Sequence, residues 1–431
     1  MKNSTKMRKG IESYIRFLIC FLIIFIAFRN ILELLIGTSV KLIPDISIIL
    51  LFILFVIYKK GKVEIKKYDI FIIAFLAIAF VNTVAIQKIG LYPYIYEVRS
   101  IMVYYILFFV IRNFEYSKKY QLILSKLLQN VTFVLFVLGV IEKISGKKIL
   151  FPGSVSESIL YADNFGRVYS MFFNPNTYGA FLVISFFIVL YFEGKTTLVY
   201  SIVTCTSLLL SMSRSSIIIF IAGIILYELA DKKKGIIRKT NYWRILTIIL
   251  IAGIIYTGCE KVTEIVTKTT ETRMGESGSD ILNNTSTVLD RVKELSDSEI
   301  IAKSNSDGRV FYLKTGLKIF KEYPVLGTGF GTYGSAASMN WEPPIYEKYG
   351  LQYGFYSDNE YIKDIVETGI VGVVLLILFC ISILYDYRKN FFCIFMCLII
   401  GWLGLFYNVL EVQIVAFLFW TVLGIEAKKI G

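Results

Sequence analysis

Apolar residues run through this chain in stretches of about twenty, separated by short polar segments, and only once, between Glu260 and Asp358, is the polar interval long. About 20 apolar residues in a helix are enough to cross a hydrocarbon core of about 30 Å. Such runs fall near 14–36, 44–58, 68–86, 95–112, 122–144, 174–192, 197–212, 215–230, 243–259, 359–384, 391–408 and 410–427. The pattern predicts an all-α polytopic membrane protein of about twelve transmembrane helices, with both termini on one side. Three parts follow: a membrane bundle over 1–259, one long external loop over 260–358 before the tenth helix, and three last helices over 359–431. Within the loop, 261–306 is rich in Thr, Ser, Asn, Glu and Lys and reads as a mobile covering. The 307–358 half reads as a folded helical cap.

Composition agrees with this class, at 56% hydrophobic residues and a mean hydropathy of +0.64. The basic start and apolar middle of the N-terminus resemble a signal peptide, but with no A-x-A cleavage site they read as an uncleaved first helix. A net charge of +13 would suggest nucleic acid in a soluble protein. Here it is a matter of topology. With the N-terminus inside, the inner segments carry 24 Lys and Arg and the short outer loops 6, the asymmetry expected when basic residues are retained in the cytoplasm. The long loop then faces outward, and with 11 basic against 14 acidic residues it is slightly acidic. The six cysteines show no CxxC pair or metal-ligand spacing and read as small core hydrophobes. Histidine is absent, so acid–base work would fall to Asp, Glu, Lys or Tyr.

Four constellations carry candidate chemistry. In SMSRSS, Arg214 stands between two apolar helices at the outer surface. A cation at membrane depth invites a functional reading, against simple snorkelling to lipid phosphates, and Ser213 or Ser215 would cap the next helix. In DGRVFYLKTGLKIFKEYP, Val310, Leu313, Leu317 and Phe320 recur at helical spacing, predicting an amphipathic helix capped near Asp307 and stopped before Pro324. Arg309 falls in its first turn, where the helix dipole disfavours a cation unless an anion such as phosphate docks there; the alternative is an ion pair with Asp307. The run GTGFGTYG, Gly327 to Gly334, lacks the preceding strand and the GK[ST] of a nucleotide loop. It reads as a tight return of backbone toward the membrane, its glycines allowing close approach to a helix or a sugar.

In SDNEYIKDIVETGIVG, Asp358 and Asn359 stand at the mouth of the tenth helix. The carboxylate could take a proton from a sugar hydroxyl, and could equally cap the helix. Arg167, in RVYSMFFNPNTYG, is a further outer cation beside an Asn-Pro-Asn turn that opens the sixth helix. Glu97 and Arg99, in the fourth helix, read either as an intramembrane polar pair or as a sign that the span ends earlier.

Taken in order, Arg167-x-x-x-x-Phe-x-Asn-Pro-Asn-x-Tyr-Gly, then Ser-x-Ser-Arg-Ser, then Gly-Arg followed by YPVLGTGFGTYG, then the Asp-Asn-x-Tyr helix, resemble the O-antigen polymerase and O-antigen ligase superfamily of multispanning glycosyltransferases. The resemblance runs from Arg167 to the C-terminus. It implies transfer of a polyprenyl-diphosphate-linked glycan to an acceptor hydroxyl at the outer face of the bacterial cytoplasmic membrane, with no cofactor, metal, nucleotide sugar or ATP. By motif position Arg214 and Arg309 would clamp the diphosphate, Asp358 would be base or acceptor anchor, and Arg167 a weaker cation. Asn359, Tyr312 and Tyr333 are the remaining substrate-binding candidates, the tyrosines for sugar stacking. Ligases of the family usually carry His where this chain has Asp358, so a polymerase of capsule, exopolysaccharide or O-antigen repeats is favoured. Membrane lipids, and with them a flippase and a chain-length regulator, are the partners such a role implies; nucleic acid is not. The alternatives are transfer of a finished glycan to a lipid, wall polymer or protein, and, from another class, a lipid-linked oligosaccharide flippase or transporter.

Overall fold

The computed structural model describes residues 2–60, 63–145, 150, 166–233, 242–274 and 308–427, and every α-, π- or 3-10 element among them is helical. The helices are α1 (Lys2–Ile36), α2 (Ile43–Lys59), α3 (Lys67–Phe80), α4 (Leu91–Ile111), α5 (Lys118–Ile144), α6 (Pro175–Glu193), α7 (Leu198–Ser211), α8 (Arg214–Lys233) and α9 (Tyr242–Met274). Then come α10 (Arg309–Glu322), α11 (Ile345–Tyr349), α12 (Glu360–Asp386), α13 (Phe391–Gly404) and α14 (Gln413–Glu426). A helix stands at each of the twelve apolar runs. Eight stretches are long and apolar enough to cross a membrane, in α1 to α6, α9 and α12, while α7, α13 and α14 are shorter apolar helices. The protein is thus an all-α polytopic membrane protein. Helix α9 continues past 259 as far as Met274, so the start of the stretch expected to be a mobile covering is helical; residues 275–307, Asp307 among them, lie outside the described residues.

The chain divides into two compact units, one of Met1–Ile19, Leu42–Glu115 and Ser298–Gly431, the other of Cys20–Lys41 and Tyr116–Asp297. In the first, α12 lies along α3, α4 along α14, α2 along α4, and α10 across the start of α12. In the second, α5, α6 and α7 pack on one another, α9 packs on α5 and α7, and α8 lies against α6.

Backbone geometry in the first unit is set by the glycine-rich run. Helix α12 is broken at Gly369, whose φ of 61° and ψ of −166° are not helical. The segment from Pro324 to Gly329 fills the gap: Ile370 and Val371 donate to the carbonyls of Pro324 (2.8 Å) and Val325 (3.1 Å), while Thr328 and Gly329 donate to those of Val366 (2.9 Å) and Glu367 (3.0 Å). A Cβ on Gly369 would lie 2.5 Å from the Val325 oxygen, and one on Gly327 2.5 Å from the Glu367 carbonyl carbon. On its other side the same segment meets a π-helical turn, Val81–Ile86, that continues α3. There the Asn82 amide donates to the Leu326 carbonyl (2.6 Å), and the Thr83 hydroxyl accepts from Phe330 N–H (2.8 Å). This is the close approach to a helix that the glycines foretold.

The stripe predicted to bury α10 does not. Val310, Leu313 and Leu317 are 38%, 42% and 45% exposed, and the buried positions are Thr315, Gly316 and Ile319. The reason is steric. Gly316 lets α10 settle onto Ile362 of α12 at a distance where its own Cβ would come within 2.6 Å of Ile362, and Ile319 joins Tyr333, Tyr346, Leu351, Phe355, Ile362 and Val366 in one core. The larger side chains stay outside.

Replacing Gly369 by Ala forces a left-handed residue against a carbonyl, and we expect a loss of at least about 2 kcal/mol. Thermal unfolding of the detergent-purified protein measures it. Gly253→Ala, where no atom lies within 4 Å of the new Cβ and the residue is mid-helix, should be neutral or gain about 0.5–1 kcal/mol.

Candidate active site

Arg309 is the first residue of α10, and the helix has no side-chain cap at Gly308 before it. Its guanidinium reaches Asp358 through two nitrogens, NH2 at 2.9 Å and Nε at 3.2 Å, both to Oδ2. The pair is open to solvent, with side chains 48% and 35% exposed. Asp358 has a φ of 50°. A non-glycine residue holds that left-handed conformation when its surroundings over-determine it. The cap of α12 is Asn359, whose Oδ1 accepts from Ile362 N–H at 3.0 Å, so the expectation that Asp358 might cap the helix is corrected. Because Asp358 turns left-handed just before the helix, its carboxylate faces Arg309 and the next residue takes the capping position.

The neighbours of Asp358 on both sides are tied to the connection between α13 and α14. Ser357 Oγ donates to Asn408 (2.7 Å), Asn408 donates to the Gly334 carbonyl (2.9 Å), and Asn359 Nδ2 donates to the Leu405 carbonyl (3.0 Å). Tyr356 OH and Ala336 N–H both donate to Glu411 Oε2, at 2.9 and 2.8 Å. Burial and the adjacent Glu411 carboxylate raise the Tyr356 phenol well above its ordinary range, so it remains a donor.

Glu411 in turn belongs to a buried ionic cluster. Lys363, only 1% exposed, places Nζ 2.8 Å from Glu411, 2.9 Å from Glu360 and 3.2 Å from Glu97. Lys363 donates to Glu97 and Glu411 and pairs with Glu360, so one ammonium joins carboxylates from α4, α12 and the α13–α14 connection. Glu97 is therefore not the partner of Arg99, which pairs with Asp45 instead. From the sequence Glu97 stands out only beside Arg99, while Lys363, Glu360 and Glu411 give no sign of belonging with it. Lys363 and Glu97 stand 266 positions apart, and the only available signal was an ionisable residue inside an apolar run.

The other substrate-binding candidates divide. Tyr333 is fully buried, its hydroxyl donating to the Tyr312 carbonyl and its N–H to Glu367 (2.9 Å). Its ring belongs to the core, with no face left open for a sugar. Tyr312 is stacked on Phe355, ring centres 4.4 Å apart. Both amide atoms of Asn359 serve the helix start and Leu405.

Arg214 and Arg167 belong to the second unit. Arg214 is the first residue of α8, as Arg309 is of α10. The turn before it is held by Met212 in the left-handed region and by Ser213, whose hydroxyl donates to Ser216 (3.0 Å). Arg167 donates to the Ser211 carbonyl (3.1 Å) and to Asn176 (2.7 Å), so it stands at the same turn. Asn174 caps α6 by accepting from Asn176 and Thr177 N–H, with Pro175 at the first helical position, the opening that the Asn-Pro-Asn turn announced. Glu142, buried, accepts from Ser170 N–H (2.6 Å), and Lys143 donates to the Gly166 carbonyl (2.8 Å). These two clasp the strand of chain that bears Arg167.

Fold and site together define a multispanning membrane protein with an arginine opening a helix in each unit, one of them set against a carboxylate. Residues 198–377 match the family described as O-Antigen ligase, a range that includes Arg214, Arg309 and Asp358. Over 92 residues the chain is 31% identical to the exopolysaccharide production protein ExoQ of Rhizobium meliloti (strain 1021), and the match covers 20% of this chain and 20% of that relative's length. Both findings support a likeness to the O-antigen polymerase and ligase superfamily, over less than half of this chain.

Exposed ion pairs contribute at most about 1 kcal/mol, whereas removing one partner of a buried set costs about 3–5 kcal/mol. Thermal unfolding should therefore hardly register Arg309→Ala, and should register Lys363→Met as a severe loss.

Proposed function

We propose that this protein is a polysaccharide polymerase that transfers a polyprenyl-diphosphate-linked glycan onto a hydroxyl of another lipid-linked repeat unit, at the outer face of the cytoplasmic membrane. The observation that carries the reading is the Arg309–Asp358 pair at an uncapped helix start, within the range matched to the O-Antigen ligase family. Free N–H groups and a guanidinium suit a diphosphate. In the reaction the acceptor oxygen forms a bond to the anomeric carbon, the bond from that carbon to the diphosphate oxygen breaks, and the hydroxyl proton must leave. Arg309 stabilises the charge on the departing diphosphate. A diphosphate on Arg309 competes with Asp358 for the guanidinium, which frees the carboxylate to accept the proton. Donor binding thereby readies the base. Arg214 and Arg167, in the other unit, are further anion-binding candidates by the family resemblance, and in this reading the long loop faces outward with both termini inside.

A second reading, transfer of a finished glycan to a lipid, wall polymer or protein, is favoured by the match to the O-Antigen ligase family; the exopolysaccharide relative and the aspartate at 358 favour the polymerase. Polymer ladders separate them. In cells, Asp358→Asn, which keeps shape and tolerates the left-handed backbone, should abolish the ladder while single repeats persist, with Arg309→Ala close behind and Arg214→Ala scored separately. A ladder of wild-type length and yield in all three variants would sink the proposal. Purified protein given a defined diphosphate-linked repeat should transfer it without nucleotide and in EDTA, since the leaving group carries its own activation. Movement of lipid without any transfer would mean a flippase.

A further inference from the structure

The apolar stripe that α10 leaves uncovered has a partner of recognisable chemistry. At 100° per residue the helix presents three sectors in order. Tyr312, Thr315, Gly316 and Ile319 face the protein, the last three buried. Beside them run Leu313, Leu317 and Val310, between 38% and 45% exposed. Next to these, in the third sector, Lys314, Lys318 and Lys321 are all exposed. A helix lying in water alone would gain nothing from three exposed aliphatic side chains on one line, flanked on one side by a file of lysines. The same order is what an interfacial helix shows: apolar side chains in the acyl boundary and lysines reaching up to phosphates.

Its position in the fold agrees. Gly316 and Ile319 seat α10 on Ile362 and Val366, within the first two turns of α12, one of the membrane-crossing helices. A helix clamped there lies at the level where the bilayer surface begins. The occupant is therefore the lipid of that surface, with anionic headgroups the natural complement of the lysine file.

We propose that α10 is a membrane-surface helix, its Val310–Leu313–Leu317 stripe seated in the lipid and its lysines in the headgroup layer. One consequence is that Arg309, at the end of the stripe, is held at the depth of lipid phosphates. The inference stands whatever the protein transfers, because it concerns only where α10 rests.

The test uses the full chain in nanodiscs made with phosphatidylcholine and anionic phosphatidylglycerol, the former brominated along its acyl chains. Leu313→Trp should show emission quenched by the bromines beyond the signal of the native tryptophans, while Glu347→Trp, on the exposed side of α11, should not. Leu317→Trp repeats the measurement if the first variant folds poorly. Equal emission in brominated and unbrominated discs for the stripe positions overturns the proposal. So does efficient disulfide cross-linking of Leu313→Cys between two copies, which would make a second protein the occupant.

Discussion

Everything in the first unit depends on how the backbone of Pro324–Gly329 is satisfied where it returns against membrane helices. A non-helical segment in that setting has no water to serve its N–H and C=O groups, and each one left unpaired is costly. Two helices are interrupted to receive it. The left-handed break at Gly369 releases donors and acceptors of α12, and the π-helical turn after α3 presents Asn82 and Thr83. Neither interruption is stable alone, since each leaves backbone groups without an intrahelical partner. Together with the returning segment they close one hydrogen-bonded joint, and only glycine permits the distances at Gly327 and Gly369.

That joint explains why the candidate site is rigid where it has to be. It fixes the third turn of α12, and from there the cap core of Ile319, Tyr333 and Tyr346 leans on Ile362 and Val366. Asp358 sits one residue ahead of the helix cap, held left-handed between anchors at Tyr356, Ser357 and Asn359. The ionic cluster beneath it makes these anchors stiff: Lys363 orients Glu411 and Glu360, and the second oxygens of those carboxylates accept from Tyr356, Ala336 and Leu410. Moving Lys363 would leave buried carboxylates without their cation, which is costly, so its place is tightly constrained. The contrast with the solvent-open Arg309–Asp358 pair is sharp. One set of charges is locked, and the other is free to exchange partners with an arriving anion.

How much of this was legible depended on range. Helices stand at all twelve apolar runs because hydropathy over about twenty residues is a local signal, and the Asn174-Pro175 helix start and the glycine return were equally local. What could not be read was relational. The face of α10 was misassigned because the larger apolar residues promise burial, yet a single glycine, Gly316, decided which side could come close enough to α12. The cap of α12 moved from Asp358 to Asn359 because a carboxylate 49 positions from Arg309 found it in space. Lys363 looked like one more charge on a helix turn until Glu97 and Glu411 closed around it, and Tyr333 looked like a sugar platform until the cap core was assembled.

The placement of the two arginines carries the argument one step further. Arg309 and Arg214 each open a helix, where the dipole and the unpaired N–H groups already favour an anion. A cation at that position is disfavoured by the helix itself, so neither residue is there for local stability. Each adds a guanidinium to the positive end of its helix, and at Arg309 it does so beside an exposed carboxylate. Under the proposed function, the charged diphosphate of the donor would meet such a helix start while its hydrocarbon tail stayed in lipid. The glycine run, which a nucleotide-binding loop would have needed free, is spent on closing the joint with α12.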